Sequence, residues 1–301
     1  MKFAVITGGN GFLGKELVKA LLQKGYFVYN IANQIAEDLT DTSYRNILSN
    51  TENIAEQIEG KIEFFFHLAW GGTSGDKRAS LSEQLNNICM SEKYVRLAQE
   101  LEAKRFIYAG SIMEYECLNN LLRDERTGIN LSSTYSAAKL MGHLVTRLNA
   151  EVGNLNYIPI IISNIYGETE SSPRFINSIV KKMLTEDRIE LTQGKQLYDF
   201  IYIDDAIKMM IQIAEHGIPF KQYYIGSQEQ KPLKEYILQI KDIVRFEGEL
   251  AFGAVEYHGV PLTYREFNTN AFFEDFTFRP VISFEEGIRK LLNEYTKSIN
   301  A

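Results

Sequence analysis

The run Lys2-Phe3-Ala4-Val5-Ile6-Thr7-Gly8-Gly9-Asn10-Gly11-Phe12-Leu13-Gly14 decides how the rest of the chain is read. Residues 2–7 are mostly apolar and β-branched, the pattern of a strand buried on both faces. Four glycines break the strand. Leu13, Leu17, Leu21 and Leu22 then recur at helical spacing as far as Lys24-Gly25, a helix stop. The glycines fit two spacings, GxGxxG through Gly9, Gly11 and Gly14, and GxxGxxG through Gly8, Gly11 and Gly14. In either, one glycine turns tightly, one lets the backbone approach a pyrophosphate, and one lets the helix pack on the strand. Free N–H groups and the helix dipole then hold the anion. A glycine motif is informative in this context, directly after a strand and opening a helix. The expected ligand is a dinucleotide held at Gly8, Gly11, Phe12, Leu13 and Gly14.

Further strands and helices alternate beyond this unit. Residues 27–32, 45–49, 61–69, 105–109 and 157–162 read as strands, and residues 51–57, 80–102 and 134–150 as helices. Such alternation specifies an α/β fold built on a Rossmann-like, doubly wound parallel sheet. After Gly167 the strands shorten, as at 189–191 and 223–225, a helix spans 204–215, and Gly217, Pro219, Gly253, Gly259 and Pro261 interrupt the loops. The expected division is a dinucleotide-binding domain over 1–166 plus about 199–217, and a smaller mixed α/β substrate lobe over about 167–198 and 218–301.

Composition narrows the function classes. The 301 residues carry 32 Lys+Arg against 39 Asp+Glu, a formal charge of −7, with no basic stripe. A surface of that sign repels phosphate backbones, so nucleic acid is not an expected partner. Two cysteines, Cys89 and Cys117, and the separated His67, His143, His216 and His258 form no disulfide framework and no metal-ligand spacing. No metal is expected. No apolar run approaches the roughly 20 residues of a membrane helix. The first strand begins directly after Met1, so a cytoplasmic protein without membrane contact is expected.

The cofactor type is read at the end of the second strand. A dinucleotide turn is commonly followed, about 20 residues on, by a carboxylate for the adenosine ribose. Here the strand ends Ala32-Asn33-Gln34, with neither a carboxylate nor an arginine. Asn33 can hydrogen-bond either form of the ribose. NADP(H) is slightly favoured over NAD(H), because nothing at that site repels a 2′-phosphate.

A second constellation carries the chemistry. Tyr135-Ser136-Ala137-Ala138-Lys139 places a phenol and an ammonium at i and i+4, on one helix face. A neighbouring cation favours the phenolate, and such a tyrosine exchanges protons with a carbonyl or carbinol near neutral pH. Ser111 follows the strand at 105–109, at the end of the sheet where ligands of open α/β folds bind. Its hydroxyl is placed to orient a substrate oxygen.

With these motifs the chain resembles the extended short-chain dehydrogenase/reductase family, of the NAD-dependent epimerase/dehydratase type. The resemblance covers nearly the whole chain. It adds His67-Leu68-Ala69, Asn87, Gly110-Ser111, Asn164-Ile165-Tyr166-Gly167 and Asp199-Phe200-Ile201-Tyr202-Ile203-Asp204-Asp205 to the marks above. It implies Tyr135 as the acid/base, Lys139 as its tuner and a nicotinamide-ribose ligand, and Ser111 as the substrate-oxygen donor. It also implies cofactor contacts at Leu68 and Ala69 and a nucleotide-linked sugar as substrate. The segments Phe252 to Tyr257, Phe276 to Pro280 and Phe284 to Ile288 resemble the ends of nucleotide-sugar 4-ketoreductases. The implied reaction is C4 reduction of a 4-keto-6-deoxy sugar. The alternatives are a 4-epimerase that retains its NAD and a catalytically silent cofactor-sensing protein. A 4,6-dehydratase is disfavoured, because Ile112-Met113 follow Ser111 where that chemistry wants an acid/base carboxylate pair. Two family arginines are absent: Ile161 and Tyr198 stand in their places, leaving Arg174 and Arg265 as unplaced substitutes.

The remaining residues divide between ligand and framework. Trp70 and Gly71 follow a strand's ligand-side end and are taken to border the substrate, as is Asn164. His67 is read as structural and Asp204-Asp205 as a helix N-terminus favoured by the dipole. Cys89 is read as helix packing. Val95, Leu97, Leu140, Met141, Leu144 and Val145 exceed one apolar stripe on their helices. This points to helix pairing in a homodimer, as is common in the family.

Overall fold

The first strand, β1 (Lys2–Thr7), shows why a sheet forms here. Ala4 and Ile6 pack into one layer and Val5 into the other, all fully buried, so the period-2 pattern feeds two cores at once. The computed structural model describes residues 1–35, 41–121, 133–170, 172–268 and 270–300. After β1 come α1 (Phe12–Gln23), β2 (Tyr26–Ala32), β3 (Tyr44–Leu48), β4 (Ile62–His67), α2 (Leu81–Glu100) and β5 (Phe106–Ser111). Then follow α3 (Met113–Leu121), α4 (Ser133–Val152), β6 (Tyr157–Ile162), β7 (Asn164–Tyr166), α5 (Phe175–Thr185) and β8 (Arg188–Leu191). The chain continues through β9 (Leu197–Tyr198), β10 (Phe200–Tyr202), α6 (Ile203–His216), β11 (Tyr223–Ile225), β12 (Lys231–Pro232), α7 (Leu233–Val244) and β13 (Glu249–Phe252). It closes with α8 (Asn270–Asp275) and α9 (Phe284–Asn300).

Seven strands form one parallel sheet in the order β11-β6-β5-β4-β1-β2-β3. The chain winds outward from β1 in both directions, which is the expected doubly wound fold. The reversal falls between β1 and β4, and ligands of such sheets bind outside the strand ends there. Helix α1 packs on α6 on one side of the sheet, and α2 packs on α4 on the other. Leu17 and Leu21 of α1 are fully buried, each worth about 1.5–3 kcal/mol over exposure.

Three two-stranded sheets lie outside the main one: β7 with β10, β9 with β12, and β8 with β13. Two buried carboxylates tie distant segments together. Asp199 accepts from the Ser227 amide and hydroxyl and from the Tyr224 hydroxyl. Asp205, fully buried, accepts from the amides of Val281 and Ile282 at 2.7 and 2.8 Å.

Two expectations are corrected, and one helix is added. Residues 51–57 form only a 3-10 turn, Ile54–Gln57, too short for a packing stripe. Helix α3 was not anticipated, because Met113-Glu114-Tyr115-Glu116 mixes buried carboxylates into what is otherwise an apolar face. Tyr223–Ile225, expected in the lobe over 218–301, pairs with β6 at the edge of the main sheet. Its three buried residues extend that core.

Candidate active site

The glycine turn is built by close approach. Gly8 has φ +80, and a Cβ there would lie 2.8 Å from the Ala69 amide nitrogen. A Cβ at Gly14 would lie 2.1 Å from the Gly8 carbonyl oxygen. A Cβ at Gly11 would meet only that same oxygen, at 3.4 Å. Gly11 is the N-cap of α1 and brings no side-chain cap, and Gly11 to Gly14 line the cleft above the turn. Asn30, which the sequence reading overlooked, braces the turn from beneath. It accepts from the Gly9 amide and donates to Asn10, Tyr44 and Asn46.

Above the turn lies a cleft of about 380 Å³, bordered by Gly8, Gly11 to Gly14, Leu68, Trp70, Ser111, Tyr135 and Lys139. These residues fit a dinucleotide: a side-chain-free turn, a helix N-terminus and an ammonium surround one cavity. Ala69, expected to touch the cofactor, is not among the residues lining this cleft; its amide donates to the Thr7 hydroxyl beside Gly8. Asn33 is exposed at the end of β2, where its carbonyl oxygen accepts from the Ser49 hydroxyl, and it does not line this cleft.

A second cleft, of about 330 Å³, adjoins the first and shares Ser111, Tyr135, Ser163 and Arg174 with it. Asn164, Tyr198 and Arg78 line it as well. The three expected catalytic residues therefore converge: Ser111 and Tyr135 stand where the two clefts meet, and Lys139 faces the first. Arg174, unplaced from sequence, reaches both clefts with Nε 3.0 Å from Glu170. Arg265 is exposed and borders neither. Gly71 also borders neither; its amide and carbonyl are both held by the Asn87 side chain. Trp70 faces the cofactor cleft, with its indole N–H on Gln84.

The electrostatics differ from the expected Tyr–Lys pair. Lys139 Nζ sits 3.8 Å from the centre of the Trp70 ring and donates to the Ala109 carbonyl. The edge of Trp70 meets the Tyr135 ring at a centroid distance of 6.3 Å. Burial lowers the Lys139 ammonium to about 7, against the pull of Glu114, with Arg174 acting in the same direction as burial. Burial raises the Tyr135 phenol. Arg78, the Ser111 hydroxyl and Arg174 pull it back, and Glu114 opposes them. The cation lying on the Tyr135 ring is Arg78, its guanidinium carbon 4.2 Å from the ring centre.

The surrounding groups are framework. His67 is buried; Nε2 donates to Ser91, whose own proton goes to the Asn87 carbonyl, and Nδ1 accepts from Thr7. Burial and the nearby Lys139 lower the imidazole to about 3, so it stays neutral. Glu114 accepts from the Ser111 amide and pairs with His143 Nδ1 at 2.8 Å. Among the described residues no group of three or more His, Cys, Asp or Glu is placed to hold a metal, and no helix is long and apolar enough to cross a membrane.

The chain is similar to known proteins in sequence and in fold. CDP-abequose synthase of Salmonella muenchen is 25% identical over 305 residues, spanning 97% of each chain. The dTDP-6-deoxy-L-talose 4-dehydrogenase (NAD(+)) of Aggregatibacter actinomycetemcomitans is 28% identical over 225 residues, covering 71% of this chain and 79% of its own length. In fold, the chain is similar to dTDP-glucose 4,6-dehydratase of Bacillus anthracis in complex with NAD. The TM-score is 0.82 at 19% identity, covering 100% of this chain and 98% of that one. UDP-glucuronic acid 4-epimerase of Bacillus cereus, in complex with UDP-glucuronic acid and NAD, gives 0.79 at 17% identity, covering 98% and 99%. The sequence model of one family matches residues 4–226, and the chain belongs to it: the NAD dependent epimerase/dehydratase family.

Proposed function

We propose that the protein is a nicotinamide-dependent oxidoreductase that reduces a nucleotide-linked 4-keto-6-deoxy sugar at C4. The observation that carries this is the placement of Ser111 and Tyr135 at the junction of the two clefts, with Lys139 beside them. When bound, the reduced cofactor supplies a hydride to the sugar carbon. The Ser111 hydroxyl orients the ketone oxygen, and the Tyr135 hydroxyl gives it a proton. The product is the alcohol, and the phenolate recovers its proton from water. Lys139 holds the ribose side of the cofactor. Asn164 and Arg174 stand in the second cleft to receive the sugar and its phosphates.

Two further observations favour ketone reduction over dehydration. One relative, dTDP-6-deoxy-L-talose 4-dehydrogenase (NAD(+)), is named for redox chemistry at C4 of a 6-deoxy sugar. Glu114 is committed to the Ser111 amide and to His143 beneath the site. Among the described residues lining the second cleft, the one carboxylate is Glu170, which is paired with Arg174. NADP(H) is slightly favoured, since among the described residues that follow β2, Asn33 to Ile35, none is an acid that would repel a 2′-phosphate.

We also infer a homodimer through α2 and α4. Val95 and Leu97 turn inward to the sheet and leave the expected apolar face. Its place is taken by Leu81, Leu85, Met141, Leu144, Leu148 and Val152, all exposed at helical spacing on two adjacent helices. Cys89, expected to be packed, is exposed one turn beyond Leu85. A second copy meets this face with the same stripe, which makes it self-complementary.

The reaction is tested by supplying a nucleotide-linked 4-keto-6-deoxy sugar and following NADPH or NADH. Stoichiometric consumption supports a reductase. Interconversion of C4 epimers by protein that purifies with tightly held NAD, without added cofactor, would overturn it. Tyr135→Phe is expected to lower turnover by about 10²–10⁴-fold with cofactor binding intact.

A further inference from the structure

We propose that Arg78 is a positioning residue of the catalytic centre: its guanidinium lies on the Tyr135 ring and supplies the counter-charge when the phenol loses its proton. The inference rests on the reading of Tyr135 as the proton donor, and it adds a group that no part of that reading requires.

The geometry sets up a row of four groups. Lys139 lies on Trp70, Trp70 meets Tyr135 edge to face, and the Arg78 guanidinium carbon sits 4.2 Å from the Tyr135 ring centre. The indole thus occupies the ammonium, and the phenol is served from the opposite element. Arg78 closes the 3-10 turn Asp76–Arg78, two residues before Ser80, the N-cap of α2. It is half-buried, and Nη1 donates to the Thr73 carbonyl at 3.1 Å. That bond uses one of its five N–H groups and fixes the plane of the fork. Arg78 also lines the second cleft and faces Tyr198 there.

A guanidinium suits this position better than an ammonium. It stacks on an aromatic face, is weakly hydrated and stays charged at any working pH. Lys139, lowered to about 7, is only partly charged near neutrality and is a weak source of permanent field. The other groups facing the phenol are Ser111 at the end of β5, Arg174 before α5, and Glu114 of α3, which opposes the cations. Of these, Arg174 is already paired with Glu170 and Glu114 with His143. Arg78 is left as the cation directed at the ring.

The test is Arg78→Gln beside Arg78→Lys, with Tyr135→Phe used to assign the Tyr135 signal among ¹³Cζ-labelled tyrosines by NMR titration. In Arg78→Gln the Tyr135 titration is expected to move to higher pH, and in Arg78→Lys to return part of the way. Turnover in Arg78→Gln should fall about tenfold, and the limb of the pH profile set by the phenol should move to higher pH in both reaction directions. An unmoved Tyr135 titration overturns the proposal. So does a variant whose whole defect is a raised KM, because Arg78 would then be a substrate ligand. The titration needs no substrate, so a failure of the sugar-reductase reading leaves this result intact and separately legible.

Discussion

Two glycines three residues apart should fail for different reasons when given a methyl group. At Gly14 the added carbon would lie 2.1 Å from the Gly8 carbonyl oxygen and 2.7 Å from the Gly9 Cα. Both are backbone atoms, so no side chain can swing aside. The Gly8 carbonyl also accepts from the Gly11 amide at 3.1 Å, and pushing it away opens the turn. Overpacking of this kind costs about 1–3 kcal/mol. At Gly11 the methyl meets one atom at 3.4 Å, and φ is −76, open to any residue. Exchanging glycine for alanine at a helix N-cap costs under about 1 kcal/mol. The methyl there projects where the pyrophosphate would approach. Losing charge-assisted bonds to the turn costs about 1.5–3 kcal/mol, or about ten- to a hundredfold in Kd. Gly14→Ala should therefore lose both stability and cofactor affinity, whereas Gly11→Ala should lose affinity alone. Thermal unfolding and NAD(P)H fluorescence titration separate the two. Wild-type affinity in Gly11→Ala would refute the assignment of this turn as the pyrophosphate seat.

Asp205→Ala strands the amides of Val281 and Ile282 and should cost about 1–3 kcal/mol for each amide left unsatisfied. Urea unfolding reads this loss, and Asp205→Asn, which keeps an acceptor, should lose less. A midpoint unchanged in Asp205→Ala would remove the carboxylate as the fastener of the C-terminal segment. Leu144→Glu combined with Leu148→Glu places charges on the apolar face of α4, and sedimentation velocity should show a folded monomer where the unsubstituted protein is a dimer. A dimer that survives both charges, or an unsubstituted monomer, would refute pairing through this face.

The cofactor half was legible in the sequence because its determinants are local. Gly8 to Gly14 lie in one turn, and Tyr135 and Lys139 share one helical face, so spacing alone reports them. Strand alternation placed β1, β2, β5 and β6 nearly to the residue, since strands buried on both faces read as continuous apolar runs. The substrate half is assembled from distant segments. Arg78, Asn164, Arg174 and Tyr198 come from four separate elements, and nothing in their spacing brings them together. The i, i+4 rule placed Lys139 on the right face of its helix. It could not report that Trp70, from another element, would lie against both Lys139 and Tyr135. Arg78 carried no signal at all: a lone arginine ahead of a helix reads as a solvated charge. Asn30 was hidden because polar residues inside a strand pattern resemble exceptions, although this one carries four hydrogen-bonding partners beneath the turn.

The same asymmetry explains how a fold can be shared at 19% identity with a TM-score of 0.82. The glycine turn is constrained at Gly8 and Gly14 by backbone collisions that no compensating side chain relieves. The second cleft is lined by side chains from separate elements, among them Asn164, Arg174 and Tyr198, and no comparable backbone collision fixes which residues stand there. The two halves are nevertheless mechanically joined beside the phenol. Glu116, buried in α3, accepts from the Ser136 hydroxyl next to Tyr135 and from the Val260 amide in the C-terminal lobe. The start of α4, which carries Tyr135, is thereby tied by hydrogen bonds to the segment at residue 260, far along the chain.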